Sequence, residues 1–287
     1  MKHSTQGTLT ALGFGALERA TVYDLGQEVS PRSPHIPLSQ PPFQMNLWTS
    51  ADRVVRNLRK RGVRNDPGIN VEHASMTFHV GTHVDALGHF SVGACMHAGA
   101  HTDDVVGDLS LRALGADAIP PVLARGVLLD VAGLDGEGHL PAGRAVTACE
   151  LQGLLRRQGL EIGKRDVVLV RTGWGRYYAT DPQRYAVSGP GLGLEAARFL
   201  TGLGAFAIGA DTMTVEVVPY EQPDIVMPVH QHALVEAGVY LIENLALEAL
   251  AAASVTAFLF VMLPVRFKGA TASPVRPLAL VADCSRV

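Results

Sequence analysis

The sequence predicts a mixed α/β fold in which strands outnumber helices. Three observations carry this. Apolar residues fill 47% of the 287 positions and charged residues 18%, which supports a sizeable core and argues against disorder. Short apolar runs at 166–171 and 255–263 have the length and β-branched content of buried strands. Clear helices are fewer and fall irregularly between strands, unlike a regular doubly wound sheet. Length alone allows one large domain or two small ones. We read one structural domain, with 1–70 as an N-terminal arm on the core or a neighbouring subunit and 71–287 as the core.

Taken in order, 1–20 is Gly- and Thr-rich and reads as irregular, and 21–25 has strand composition. Prolines 31, 34, 37, 41 and 42 exclude a helix and favour an extended path. Phe43 and Trp48 follow, as ordinary packing residues or an aromatic lid. The basic cluster 53–64 also carries Val54, Val55 and Leu58, the pattern of a solvated helix face. Over 71–80, His73, Ser75, Thr77 and His79 alternate with Ala74, Met76, Phe78 and Val80. This predicts a strand ending at His79, with His83 and Asp85 on the turn beyond it. Further strands are expected at 126–131, 166–171, 205–210, 239–242 and 255–263. Thr147 with Glu150 three residues on marks a capping box for a helix to Arg157. Helices are also expected at 194–203 and 233–236, the latter stopped by Gly238.

The chemistry concentrates in 79–90. His79, His83, Asp85 and His89 fall within eleven residues, and the segment holds three of the chain's eleven histidines. Imidazoles with a carboxylate are the ligand set of zinc or manganese. His79, His83 and Asp85 are therefore candidate ligands, and His89 a candidate proton-transfer residue. Hydrogen-bonded loop histidines are the ordinary alternative. The pattern is not that of a zincin, because Val80 rather than Glu follows the first His.

His-x-Gly-Thr-His-x-Asp-x-x-x-His-Phe resembles the signature of the metal-dependent cyclase-like hydrolases, which include bacterial kynurenine formamidase, isatin hydrolase and a dienelactone hydrolase. Leu87 stands where that family often has Pro. Arg171-Thr172-Gly173-Trp174, Gly209-Ala210-Asp211-Thr212, Glu243-Asn244-Leu245 and the loop 269–276 resemble further family segments. The resemblance implies a barrel-like mixed sheet flanked by helices, of the swivelling β/β/α type. It implies that His79, His83 and Asp85 bind zinc or manganese, one or two ions per chain, with His89 as acid or base. A histidine and Glu243 would complete the centre, binding a second ion or, as catalytic groups, orienting the water; His230 fits the spacing and His232 is the fallback. Phe43, Trp48, Phe90, Trp174 and Asp211 are the candidate substrate neighbours. Trp174 reads equally as core, and Asp211 also as a turn cap. The family's dimers suggest that Phe43 and Trp48 cover a neighbouring subunit's site in a homodimer or homotetramer. The activity implied is hydrolysis of a small amide, cyclic amide or lactone. A metal-dependent cyclase or lyase, or a non-catalytic metal-binding homologue, is the alternative. His97 and His101 read as extra ligands or loop histidines, and Cys95 as a rival nucleophile.

Other classes are disfavoured. A net charge of −3 without a Lys/Arg run offers no footprint for nucleic acid. Neither Gly-x-Gly-x-x-Gly nor a P-loop is present, so no nucleotide cofactor is expected. Three cysteines (95, 149, 284) without Cys-x-x-Cys spacing suit a reducing cytoplasm. The run 249–263 falls short of the roughly 20 residues of a membrane span, and no signal h-region is read at the N-terminus.

Overall fold

Four apolar runs, at 122–130, 167–171, 207–210 and 240–243, form the spine of the fold. The computed structural model describes residues 19–36, 39–134 and 136–282, so the readings on 1–18, Pro37 and Cys284 lie outside it. The strands are β1 Thr21–Asp24, β2 Gln44–Thr49, β3 Val71–Ser75, β4 His83–Asp85, β5 Val122–Asp130, β6 Ala145–Val146 and β7 Val167–Arg171. After them come β8 Gly191–Leu192, β9 Ala207–Ala210, β10 Tyr240–Glu243, β11 Ala257–Met262, β12 Ala272–Pro274 and β13 Leu278–Val281.

Nine of these make one sheet in the order β1-β13-β11-β5-β7-β9-β10-β4-β12. The centre, β5-β7-β9-β10, is parallel and both wings are antiparallel. β12 and β13 lie at or near opposite edges, yet only residues 275–277 join them. That link reaches at most about 14 Å, whereas a flat sheet would set these two strands, seven spacings apart, about 34 Å from each other. The sheet must therefore curl into a half-barrel.

Alternation along the central strands feeds two cores. Val127, Leu129, Val168, Val170, Ile208 and Leu241 point to helices Ala148–Gln158 and Leu194–Gly202 on the convex side. Leu128, Val167, Leu169, Ala207 and Ile242 point into the curl with Leu25, Val84 and Phe260. Burial on both faces is why these strands read as unbroken apolar runs. Helix Ala148–Gln158 starts in the expected capping box: Thr147 accepts from the Glu150 amide and Glu150 reaches back to Thr147.

The reading of 71–80 needs correction. β3 stops at Ser75 and pairs with β2 in a separate ribbon, and His79 sits in the following turn. His83 and Asp85 lie not on a turn but on β4, between β10 and β12. Val84 explains the difference: it is fully buried in the inner core and pins its neighbours to the other face. Gly81 makes the sharp entry at φ +66, where a Cβ would meet a Val29 methyl at 2.5 Å. The ribbon β2–β3 and helix Ala51–Lys60 form an arm with no buried residue, and Met45, Leu47, Trp48 and Val71 are exposed on it.

Candidate metal centre

The three-residue strand β4 builds the site by register. His83 and Asp85 share a face, and antiparallel pairing sets Glu243 of β10 opposite His83. His83 Nε2 then lies 3.2 Å from Glu243 Oε2 and 3.5 Å from Asp85 Oδ1. On the other side, β12 pairs with β4 and brings up Thr271, whose hydroxyl lies 3.0 Å from His79 Nε2. The other nitrogen of His79 turns inward, 3.0 Å from Asp85 Oδ1 and 3.3 Å from His83 Nε2. His89, on the short turn Leu87–His89, sets its ring 4.3 Å from that of His79 at a tilt of 39°.

His230 arrives from the far end of the chain. Its helix begins at Pro228 and widens into a π-helical turn over Gln231–Ala237, closed by left-handed Gly238. His230 Nε2 lies 3.2 Å from Glu243 Oε1 and 3.7 Å from Asp85 Oδ2. His232 faces away: its nitrogens engage Thr201 and Glu236 at 2.8 and 2.7 Å. Two clusters able to hold an ion result, His79–His83–Asp85 and Asp85–His89–His230, with Asp85 common to both.

The residues fit a divalent cation. Asp85 is 0% exposed and neither of its oxygens receives a hydrogen bond; nor does Oε1 of Glu243. Buried carboxylates without donors are costly unless a cation compensates. Each of three histidines also spends one nitrogen on an outer partner and aims the other inward, the arrangement that orients ligands. For His83 that partner is the Gly81 carbonyl at 2.9 Å, for His79 Thr271, and for His230 Glu216 at 2.5 Å.

Without metal, these groups pair with one another. Burial works to lower His83, but the attraction of the carboxylates Asp85 and Glu243 beside it outweighs this and holds the ring at about 10. His230 likewise resists burial through Glu216 and Glu243 and stands at about 10. Burial drives His89 down to about 4 despite the attraction of Asp85. Against burial, nearby histidines hold Asp85 well below the usual carboxylate range and lower Glu243. The raised histidines stabilise the metal-free fold fully below about pH 6.5, and that stability is lost as pH rises through about 10. The lowered carboxylates stabilise above their ordinary range and lose this on acidification. Urea midpoints of the metal-free protein should therefore fall between pH 7 and about 10, while ion affinity, which requires neutral imidazoles, rises. Identical pH profiles with and without metal would contradict this pairing.

The remaining predicted residues divide. Phe90 packs 5.6 Å from the His230 ring and walls the site. Trp174 does not join the histidines; it is buried with Tyr178, Tyr185 and Met213. Its cluster acts at one remove. The Tyr185 hydroxyl donates to Asn244 Oδ1 (2.9 Å), and Asn244 Nδ2 donates to the Gly81 carbonyl (3.0 Å) that also holds His83. Asp211 is spent on the loop after β7, where one oxygen accepts from the Thr172 amide and hydroxyl and the other from the Gly173 amide. It serves as the turn cap, with both oxygens engaged. Trp48 is 69% exposed on β2, and Phe43 is half-buried just before it. His97 caps the His230 helix through the Val235 carbonyl (3.2 Å), His101 pairs with Asp103, and Cys95 is exposed.

The sequence reading missed Glu216 altogether. Its only signal was a lone carboxylate inside the apolar run 215–218. Thr271 and Asn244 appeared within matched segments, but without their roles.

The Cyclase family model matches residues 23–217. No curated protein is matched by the sequence. Among solved structures, one described as a novel cyclase is 22% identical with a TM-score of 0.83, covering 96% of this chain and 91% of its own. Isatin hydrolase A from Ralstonia solanacearum is 23% identical with a TM-score of 0.72, covering 98% of this chain and 100% of its own. Isatin hydrolase A from Labrenzia aggregata, bound to benzyl benzoate, is 23% identical with a TM-score of 0.70 at the same coverage. At these identities the likeness is one of fold.

Proposed function

This chain belongs to the cyclase family, and on that premise we propose that it is a metal-dependent hydrolase opening a small amide, cyclic amide or lactone. The observation that carries this reading is the pair of ligand clusters sharing Asp85, whose buried oxygens receive no hydrogen bond. When bound, zinc or manganese supplies Lewis-acid polarisation of a carbonyl and brings the pKa of water toward neutrality.

The chain's own residues do the rest. His79, His83 and Asp85 would hold one ion; Asp85, His89 and His230, with Glu243 beside them, would hold a second. Glu243 also links the two halves through its contacts to His83 and His230. Burial favours the neutral ring of His89, which leaves one nitrogen free to accept a proton. With one ion bound, its ring nitrogen near Asp85 accepts the proton of the attacking water and returns it to the leaving group. Were a second ion bound, His89 would instead help to hold it. Phe90 offers an apolar wall suited to a flat ring.

The arm supports assembly of two or four copies. A two-stranded ribbon is marginal alone in water, and this one leaves Met45, Leu47 and Trp48 more than half exposed. A second copy of the chain is the occupant we assign to it.

One preparation tests these points. Metal-loaded protein is assayed for acid release from aryl formamides, isatin-like lactams and small lactones, with its mass measured by light scattering. Metal-dependent acid release from a species of at least two chains is expected. No ion uptake after reconstitution, or a product formed without water, rejects the hydrolase; a monomer rejects the arm's role.

A further inference from the structure

Glu216 lies outside both ligand clusters, yet it is one of the most constrained side chains in the protein. It is 1% exposed and sits beside β8, bridged to Leu192. Its carboxylate accepts three hydrogen bonds from one short stretch. Oε2 takes the Val229 amide at 3.2 Å, and Oε1 takes the His230 amide at 3.2 Å and His230 Nδ1 at 2.5 Å. The two amides belong to a helix's first turn, where backbone donors have no partner within the helix.

The backbone on both sides of this contact is strained. Val215, immediately before Glu216, has φ +50, and Met227, immediately before the helix, has φ +53. A β-branched residue in the left-handed region is a genuine outlier, and such outliers persist where the surroundings demand a particular aim. Here the aim is a carboxylate under the ring of His230.

The chemistry of that contact is one-sided. A carboxylate only accepts, so Nδ1 must carry a proton and the neutral ring keeps Nε2 bare. Nε2 is the nitrogen facing Glu243 and Asp85. The other inward-facing histidines rest on uncharged groups, His83 on a carbonyl and His79 on a hydroxyl. Only His230 is backed by a full negative charge, which makes it the stronger electron donor.

We propose that Glu216 is the positioning residue of the centre, holding the His230 ring and its Nε2-bare tautomer for an ion bound beside Asp85. This rests on the metal-dependent reading above. The effect is selective: losing Glu216 weakens the ion that His230 touches and spares the one held by His79, His83 and Asp85.

The test is calorimetric titration of metal-free wild type, E216Q and E216A with Zn2+ and with Mn2+. E216Q keeps the volume and one acceptor; it should unfold cooperatively like wild type yet bind the His230-side ion about 10–100-fold more weakly. E216A should bind it more weakly still, and if it does not fold, E216Q alone decides. A helix cap with no role in ion binding predicts equal affinities in wild type and E216Q, and that result overturns the proposal. If wild type takes up no ion at all, the metal-dependent reading fails instead. The exchange of the His230 Nδ1 proton, followed by NMR in metal-free wild type, then decides. Protection supports the Glu216 contact, and fast exchange rejects it.

Discussion

Replacing Asp85 with alanine should empty both ligand clusters in one step. Asp85 is the residue common to His79–His83–Asp85 and Asp85–His89–His230, and each of its oxygens faces a different histidine group. Losing a partner that merely orients a ligand costs about 10–100-fold in ion affinity; losing the shared ligand itself should exceed that at both positions. Polarisation by a bound ion contributes several kcal/mol at the transition state, so turnover should fall by about 10³-fold or more. Asp85→Asn is the companion variant, because it preserves shape in a fully buried position. It should fold, keep little metal and stay inactive. Either variant retaining a full complement of ions by elemental analysis would rule out the shared-ligand arrangement.

The second large effect is expected at His89. His89→Ala should lower turnover by about 10²–10⁴-fold, the usual contribution of a placed acid–base group. Metal content separates its two roles. A drop from two ions to one makes it a ligand beside Asp85 and His230. An unchanged count with the same loss of rate makes it the proton carrier read from the sequence. Wild-type turnover in the variant would remove His89 from the mechanism.

Much of this centre was legible in the sequence, for a physical reason. His79, His83, Asp85 and His89 are close in space largely because they are close in sequence, and spacing reports that directly. The buried parallel strands were legible too, since burial on both faces leaves apolar runs that need no periodicity argument. What escaped the sequence depends on register and on contacts between distant segments. The alternation over 71–80 is real, but it belongs to an exposed ribbon; whether a strand joins the main sheet is decided by pairing partners far along the chain. Trp174 and Asp211 each follow a strand, where pocket residues commonly lie, and the sequence left Trp174 between core and pocket wall and favoured a turn cap for Asp211. The structure uses one as core and the other as a loop cap. Glu216 was invisible because a lone glutamate acquires meaning only once His230 is folded over it.

The position of β4 also sets the order of events when the chain is made. β4 lies between β10 and β12, and the hydrogen bond from Asn244 to the Gly81 carbonyl, just ahead of β4, spans 163 residues. At about 5–20 residues per second, the ribosome releases that interval in roughly 10–30 s. For that time the histidine-rich segment is a nascent tether with neither of its flanking strands yet synthesised. The full set of donors comes together only late in synthesis, when Glu243, His230 and Thr271 close around histidines made long before.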